Sequence, residues 1–356
     1  MSSVTHYVFM DQHKKTSVVG IGDAQGHPLR KFDIDHGAKG VSRLKKELGA
    51  LEGNVVVGLE ATGFYDWMVD VLQGLGVEVK LGHPLAMKYI SKAKNKTDGK
   101  DVERGLKLLG TEQFPEAYLP TPPERELRWL LTVREGFMRM RTQLRNRIRA
   151  LLARKNIGIE ADLETKASQE TLRKLELPAL YQKTLQELMG ALEELSRRQK
   201  ELDGQIKEEA GRDELTRWWD EHVGIGPQTA LALRAYVAEP GRFVGRKRIA
   251  SYLGLTPRVH NSAETIRQGS IDRQGPPILR RLLVEVAYIV VRKVKEADEY
   301  FDFLKRRIGG KRAIVAIARK LIVGLHAARR HQVKFDPARC FAIPQPKKTY
   351  VLKPVP

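Results

Sequence analysis

Asn54-Val55-Val56-Val57-Gly58-Leu59-Glu60 decides the first fold in this chain. A short unbroken apolar run closed by an acid reads as a strand covered on both faces, the pattern of a central strand in a sheet flanked by helices. Upstream, short apolar or β-branched runs cover Tyr7 to Asp11, Ser17 to Asp23 and Leu29 to Phe32. Lys14-Lys15 and Asp23-Ala-Gln-Gly26 separate them, as in a three-stranded antiparallel meander. A helical pattern from Ala38 to Leu51 links the meander to the central run, a second helix follows Thr62, and Val77 to Leu81 reads as a further strand.

The order βββαβαβα implies a mixed sheet covered by helices, the order of an RNase H-like fold. Asp11 ends the first strand and Glu60 ends the central one, so both acids sit at strand ends, where sites of such sheets form. Asp98 and Asp101, three apart in Lys96-Thr-Asp98-Gly-Lys-Asp101, share one face at the start of a helix. Clustered carboxylates raise one another's pKa unless cations neutralise them. An all-oxygen ligand set suits Mg²⁺ or Mn²⁺, and two such ions about 3.5–4 Å apart can activate a nucleophile and stabilise a leaving oxygen at phosphorus. Asp11, Glu60, Asp98 and Asp101 are therefore the expected metal ligands and catalytic acids. Taken singly, each is as readily a surface or capping acid, and His13 and His83 read as surface histidines.

Beyond this region the chain turns helical. Pro122-Pro123 starts a helix expected to reach about Ala153, its polar side carrying Arg139, Arg141, Arg145, Arg147, Arg149 and Arg154. A second long helix begins at Pro178, where Leu185, Leu188, Leu192, Leu195, Gln199, Leu202 and Ile206 alternate spacings of three and four, a heptad seam. The seam fits an intramolecular hairpin and an oligomer interface equally well. Helical spacing recurs over Thr229–Val237, Arg246–Leu253, Pro277–Lys295 and Arg312–Arg330, and the prolines and lysines after Pro344 predict an irregular tail. The expected organisation is a mixed-sheet unit over residues 1–115, a coiled-coil stalk over 116–215, a mainly helical domain over 216–343 and a tail over 344–356.

The formal charge of +20 is unevenly placed: +3 over residues 1–110, +1 over 111–210 and +16 over 211–356. A surplus confined to the last third points to a polyanion, nucleic acid before membrane. The single Cys340 excludes an internal disulfide and a cysteine-based zinc cluster. The most apolar stretch, Leu282 to Val291, is too short to span a bilayer and contains Glu285, and the first residues lack the apolar core of a signal peptide. A soluble cytoplasmic protein, associated with the nucleoid of a bacterium or archaeon, is expected.

Met10-Asp11-Gln-His-Lys-Lys, Leu59-Glu60-Ala-Thr-Gly and Lys96-Thr-Asp98-Gly-Lys-Asp101 resemble the DEDD motifs of the insertion-sequence one-ten family of transposases, whose first domain is RuvC-like. Gly224-Ile-Gly226-Pro-Gln-Thr-Ala, Tyr252-Leu-Gly254-Leu-Thr-Pro257-Arg258 and Arg267-Gln-Gly269-Ser-Ile followed by Leu279-Arg-Arg-Leu-Leu are similar to its C-terminal transposase domain. The resemblance implies a serine nucleophile in the polar stretch after Gly254-Leu-Thr-Pro257. Ser262 in His260-Asn-Ser262-Ala matches it, although alanine stands where the family has glycine, which keeps Ser251 and Ser270 as lesser candidates. It further implies a dimer or tetramer in which serine and carboxylate domains cooperate across protomers, and a structured guide RNA that selects double-stranded DNA at the element ends and target.

Gly224-Ile-Gly226-Pro also reads as a helix-hairpin-helix-like turn whose amides can meet a phosphate. With Arg141, Arg145, Arg149, Arg258 and Arg267, these glycines are the expected nucleic-acid contacts. The sequence thus predicts a recombinase, with a junction nuclease lacking a covalent intermediate and a non-catalytic nucleic-acid-binding protein as the rivals.

Overall fold

Strand β1 (Val4–Gln12) is the centre of the first unit: it pairs antiparallel with β2 (Thr16–Gly22), which pairs with β3 (Pro28–Asp35). The computed structural model describes residues 4–61, 63–90, 98–262 and 265–344, which fall into two units meeting at Thr121/Pro122. Helix α1 (Ala38–Gly49) carries the chain to β4 (Asn54–Glu60), which lies parallel to β1, and α2 (Asp66–Gln73) leads to β5 (Glu78–Gly82), parallel to β4. Then come α3 (Pro84–Ile90), α4 (Asp98–Gly110) and the two-residue β6 (Glu116–Ala117), antiparallel to β5. The sheet order is β3-β2-β1-β4-β5-β6, the mixed sheet expected, with α3 and β6 as additions.

The period of two along the strands divides the sheet into two faces. Val8 and Met10 of β1 and Val55, Val57 and Leu59 of β4 pack with Leu44 and Leu48 of α1 and Met68, Val69 and Leu72 of α2. Phe9, one residue out of phase, packs on the other face beneath Val102, Leu106 and Leu109 of α4. Each such fully buried side chain contributes about 1.5–3 kcal/mol. Glycine sets how closely α4 approaches. A Cβ at Gly105 would lie 2.2 Å from the Phe9 ring, and one at Gly20 of β2 would lie 2.2 Å from Val102. Only hydrogen fits at either point.

The second unit starts with α5 (Pro122–Ala153), opened by its prolines, and continues through α6 (Lys166–Arg173) to α7 (Ala179–Arg212). The seam of α7 is filled from within the chain: Leu185, Met189 and Leu192 share a core with Ile148 and Leu152 of α5, Leu163, and Leu172 of α6. At the other end Leu131 and Ile206 join the main core of the unit. That core is built from α8 (Glu214–Asp220), α9 (Pro227–Val237), α10 (Arg246–Tyr252), α11 (Pro277–Lys293) and α13 (Gly310–Arg330), with α12 (Lys295–Ile308) and α14 (Pro337–Cys340) against it. Buried Glu135 of α5 accepts two hydrogen bonds from Arg281 of α11, at 3.2 and 2.6 Å, and Glu124 accepts one from Arg234 of α9 at 3.0 Å. The helical hairpin and the last helices therefore share one unit.

Two elements lie outside what the sequence predicts. The polar stretch after Gly254-Leu-Thr-Pro257, for which no secondary structure is expected, forms strands. It is a hairpin of β7 (Pro257–Ser262) and β8 (Thr265–Ile271), set within a last third that is otherwise mainly helical, as expected. Lys295–Ile308 is a helix of its own, separated from α11 by Val294, whose extended backbone breaks the helical path. The predicted tail lies beyond the described residues from position 345 onward. Among the described residues no helix is long and apolar enough to cross a membrane.

Candidate active site

The register of β1 and β4 brings the first two acids together. Met10 pairs with Leu59 in the parallel ladder, so Asp11 and Glu60 are the next residues on adjacent strands and point to one face. It is the face of Phe9, covered by α4, and the Gly105 contact holds that helix down. Asp101 precedes Gly105 by one helical turn and therefore looks back along the same side. Asp11, Glu60 and Asp101 line one cavity of about 220 Å³, together with Leu85 and Lys88 of α3 and Arg104 of α4. Asp98 begins α4 three residues earlier, but its side chain lies outside the described residues.

The donors are hard oxygens from three elements, the chemistry that Mg²⁺ or Mn²⁺ requires. Among the described residues no three acidic, histidine or cysteine side chains close on a single point. The acids share a cavity without being drawn into a ligand cluster. Asp101 instead accepts a hydrogen bond from Arg104 at 2.9 Å, and the His13 imidazole stands 3.6 Å from Asp11. An internal cation thus neutralises part of the charge that an ion would take over. Lys88 and Arg104 were not singled out in the sequence, although the spacing of Asp101 and Arg104, three apart on a helix, was the available signal.

One residue braces the loop that follows Glu60. Gln12, next to Asp11 and buried, donates from Nε2 to the Phe64 carbonyl at 3.0 Å. The Ala61 amide donates to Gly82 O at 3.0 Å, tying the end of β4 to β5.

In the second unit Ser262 ends β7 and pairs in register with Thr265; its side chain and that of Arg267 in β8 lie outside the described residues. Ser251 lies in α10 and Ser270 in β8, both exposed. Arg258 is held at the base of the hairpin, 3.6 Å from the Asp272 carboxylate and donating to the Asp272 carbonyl at 3.1 Å. The two turn glycines do different work. Gly224 has φ 84° and a Cβ there would lie 3.2 Å from Val286 O of α11, so it serves the turn and the packing; Gly226 caps α9 with open space around it.

Of the stalk arginines, Arg141 and Arg145 face inward and not toward a phosphate. Both donate to Glu164, Arg145 at 2.7 Å, and Arg141 also donates to Gln199 at 2.6 Å. Burial pushes the Glu164 carboxyl up, but hydrogen bonds from Arg141, Arg145 and Ser196 outweigh it and hold the group below the usual carboxylate range. Arg147, Arg149 and Arg154 are exposed and have no acidic partner among the described residues.

Known proteins carry the same two halves. A DEDD transposase profile of the IS110 type matches residues 8–157, and a profile described as transposase IS116/IS110/IS902 family matches residues 220–302. A Sinorhizobium fredii protein assigned as transposase y4pF/y4sB is 31% identical over 281 residues, 75% of this chain and 70% of that protein. The transposase for insertion sequence element IS1111A of Coxiella burnetii is 26% identical over 274 residues, 74% of each chain. A pilin gene-inverting protein of Moraxella lacunata is 35% identical over 116 residues, 32% of this chain and 36% of that protein. With strand-end acids in a mixed sheet, a basic helical unit later in the sequence and relatives matched along most of its length, this chain belongs to the IS110 family of transposases, enzymes that act on DNA.

Proposed function

We propose that this transposase cuts and rejoins DNA at defined sites, using divalent metal ions held by Asp11, Glu60, Asp98 and Asp101 and Ser262 as nucleophile. The carrying observation is the cavity shared by Asp11, Glu60 and Asp101, acids that the chain separates by dozens of residues and the sheet reunites. Mg²⁺ or Mn²⁺ bound there supplies positive charge to a phosphate undergoing substitution. Ser262 Oγ bonds to phosphorus as the bond to the leaving deoxyribose oxygen breaks, and the serine proton goes to that oxygen. A deoxyribose hydroxyl of the recipient strand then attacks the phosphoserine, restores Ser262 and reseals the backbone, so the bond energy is conserved. Likeness to a relative named for gene inversion supports a reaction that rejoins as well as cuts.

Arg147, Arg149 and Arg154, Arg267 and the open α9 start at Gly226 are the proposed contacts to phosphate. The finer reading adds a structured guide RNA, a dimer or tetramer as the working form, and a cytoplasmic setting. It also treats residues 1–115, 116–215, 216–343 and 344–356 as the functional divisions of the chain. In recombination reactions run on denaturing gels, Ser262→Ala is expected to abolish a covalent protein–DNA adduct. Asp11→Asn and Glu60→Gln are expected to lower cleavage in Mg²⁺ by at least about a thousandfold. Undiminished recombination by Ser262→Ala would overturn the nucleophile, and by Asp11→Asn the metal site.

A further inference from the structure

The loop between β4 and α2 carries an aromatic ring that the core does not use. Phe64 is 53% exposed, four residues after Glu60, while its backbone is fixed by the Gln12 amide. Leaving a phenyl ring in water forfeits the stabilisation of burying it, and α2 has no need of it, since Met68, Val69 and Leu72 supply its core contacts. β4 and β5 are parallel neighbours, so the segments leaving their C-terminal ends emerge at one edge of the sheet. From β5 come Leu85, 41% exposed and lining the acid cavity, and Tyr89, 65% exposed. The edge that presents the carboxylates thus also presents three exposed apolar side chains, with Lys88 between two of them.

A DNA backbone reaching the acids brings its bases to this edge. Phosphate finds a cation in Lys88, whereas an apolar ring matches only the face of a base, and a base offers its face only when it leaves the stack of its neighbours. We propose that Phe64 receives the base beside the scissile phosphate after that base has unstacked, so that this site acts on a locally opened strand. The inference rests on the metal-site reading above. Gln12 is its positioning residue: it follows Asp11 directly, and through the Phe64 carbonyl it fixes the ring's backbone relative to the acid-bearing strand.

The test uses the full chain as purified, with any RNA it carries, on element-end duplexes carrying 2-aminopurine at the base beside the cut. In an Asp11→Asn background, where cleavage is blocked, and at protein concentrations that saturate the DNA, binding is expected to change 2-aminopurine fluorescence, and Phe64→Ala is expected to remove that change. With Asp11 intact, Phe64→Ala is expected to slow cleavage about tenfold, the scale of one lost base–aromatic stack. Phe64→Trp restores the rate. A mismatch at the same base, which lowers the cost of unstacking, is expected to recover most of the loss in Phe64→Ala and to change the parent little. An unaltered fluorescence signal in Phe64→Ala, or equal gain from the mismatch in both proteins, overturns the proposal while leaving the metal site standing. Full cleavage by Asp11→Asn instead removes the reading on which it rests.

Discussion

Charge is concentrated in two regions of this molecule and is handled in opposite ways. In the helical hairpin, Arg141 and Arg145 face inward and share Glu164, so positive charge meets its counter-charge within the chain. At the sheet edge, Asp11, Glu60 and Asp101 line one cavity together with the cations Lys88 and Arg104, and Arg104 donates to Asp101. A charge neutralised inside the fold fixes geometry, whereas one gathered around a cavity is set for a partner from outside. The arginines of α5 divide along the same line, since Arg147, Arg149 and Arg154 remain exposed while Arg141 and Arg145 of the same helix are paired.

Removing the internal counter-charge gives the largest effect. Glu164→Ala leaves the half-buried Arg141 without an acid and Arg145 with only Asp162 at 3.7 Å, and is expected to cost about 3 kcal/mol, read as a lowered urea midpoint. The same ion pair has a pH signature. Because the folded Glu164 carboxyl titrates below its unfolded value, its contribution is complete above the unfolded pKa and is lost as pH falls through the folded one. The stability difference between parent and Glu164→Ala should therefore shrink below about pH 4.

The acid cavity is next. Gly105→Ala pushes α4 off Phe9 and is expected to destabilise by about 1–3 kcal/mol. It should also weaken Mn²⁺ binding by calorimetry about tenfold, because a misplaced ligand loses coordination. Unchanged Mn²⁺ affinity would separate the position of α4 from the site.

The smallest effect on the fold, and the clearest on function, comes from the outward arginines. Arg147→Ala with Arg149→Ala should leave stability within about 0.5 kcal/mol. It should lower the slope of log affinity against log salt for nucleic acid by about 2. An unchanged slope would mean that exposure alone does not mark a phosphate contact.

What could be read in advance follows the range of the forces involved. The end of β4 at Glu60, the end of β1 to within one residue of Asp11, the start of α5 at its prolines and the start of α7 after Pro178 were legible because apolar period and proline act locally. The β7–β8 hairpin was missed because Pro257-Arg-Val-His-Asn-Ser262 is too polar to look like a strand and gains its order from its neighbour. Helix α12 was missed although Ala297, Tyr300, Phe301, Leu304 and Ile308 keep the helical spacing, and Glu296 and Asp298 in its first turn and Lys305 to Arg307 in its last suit the helix dipole. The inward turn of Arg141 and Arg145 depends on Glu164, which arrives from the connection between two helices; no spacing on α5 itself announces it.

The parallel pairing of β1 with β4 also bears on how the protein comes to be active. Parallel neighbours cannot be joined by a tight turn, so Asp11 waits for the meander and α1 to be in place before Glu60 can lie beside it, and Asp101 comes later still. A nascent chain holding only β1 to β3 has one of these acids and no cavity. The acid cavity is thus a late product of folding, and on the metal-site reading proposed above a bound ion would in turn stabilise the completed sheet by mass action. A half-made chain therefore lacks the acid cavity altogether, so the chemistry proposed for it belongs to the finished protein alone.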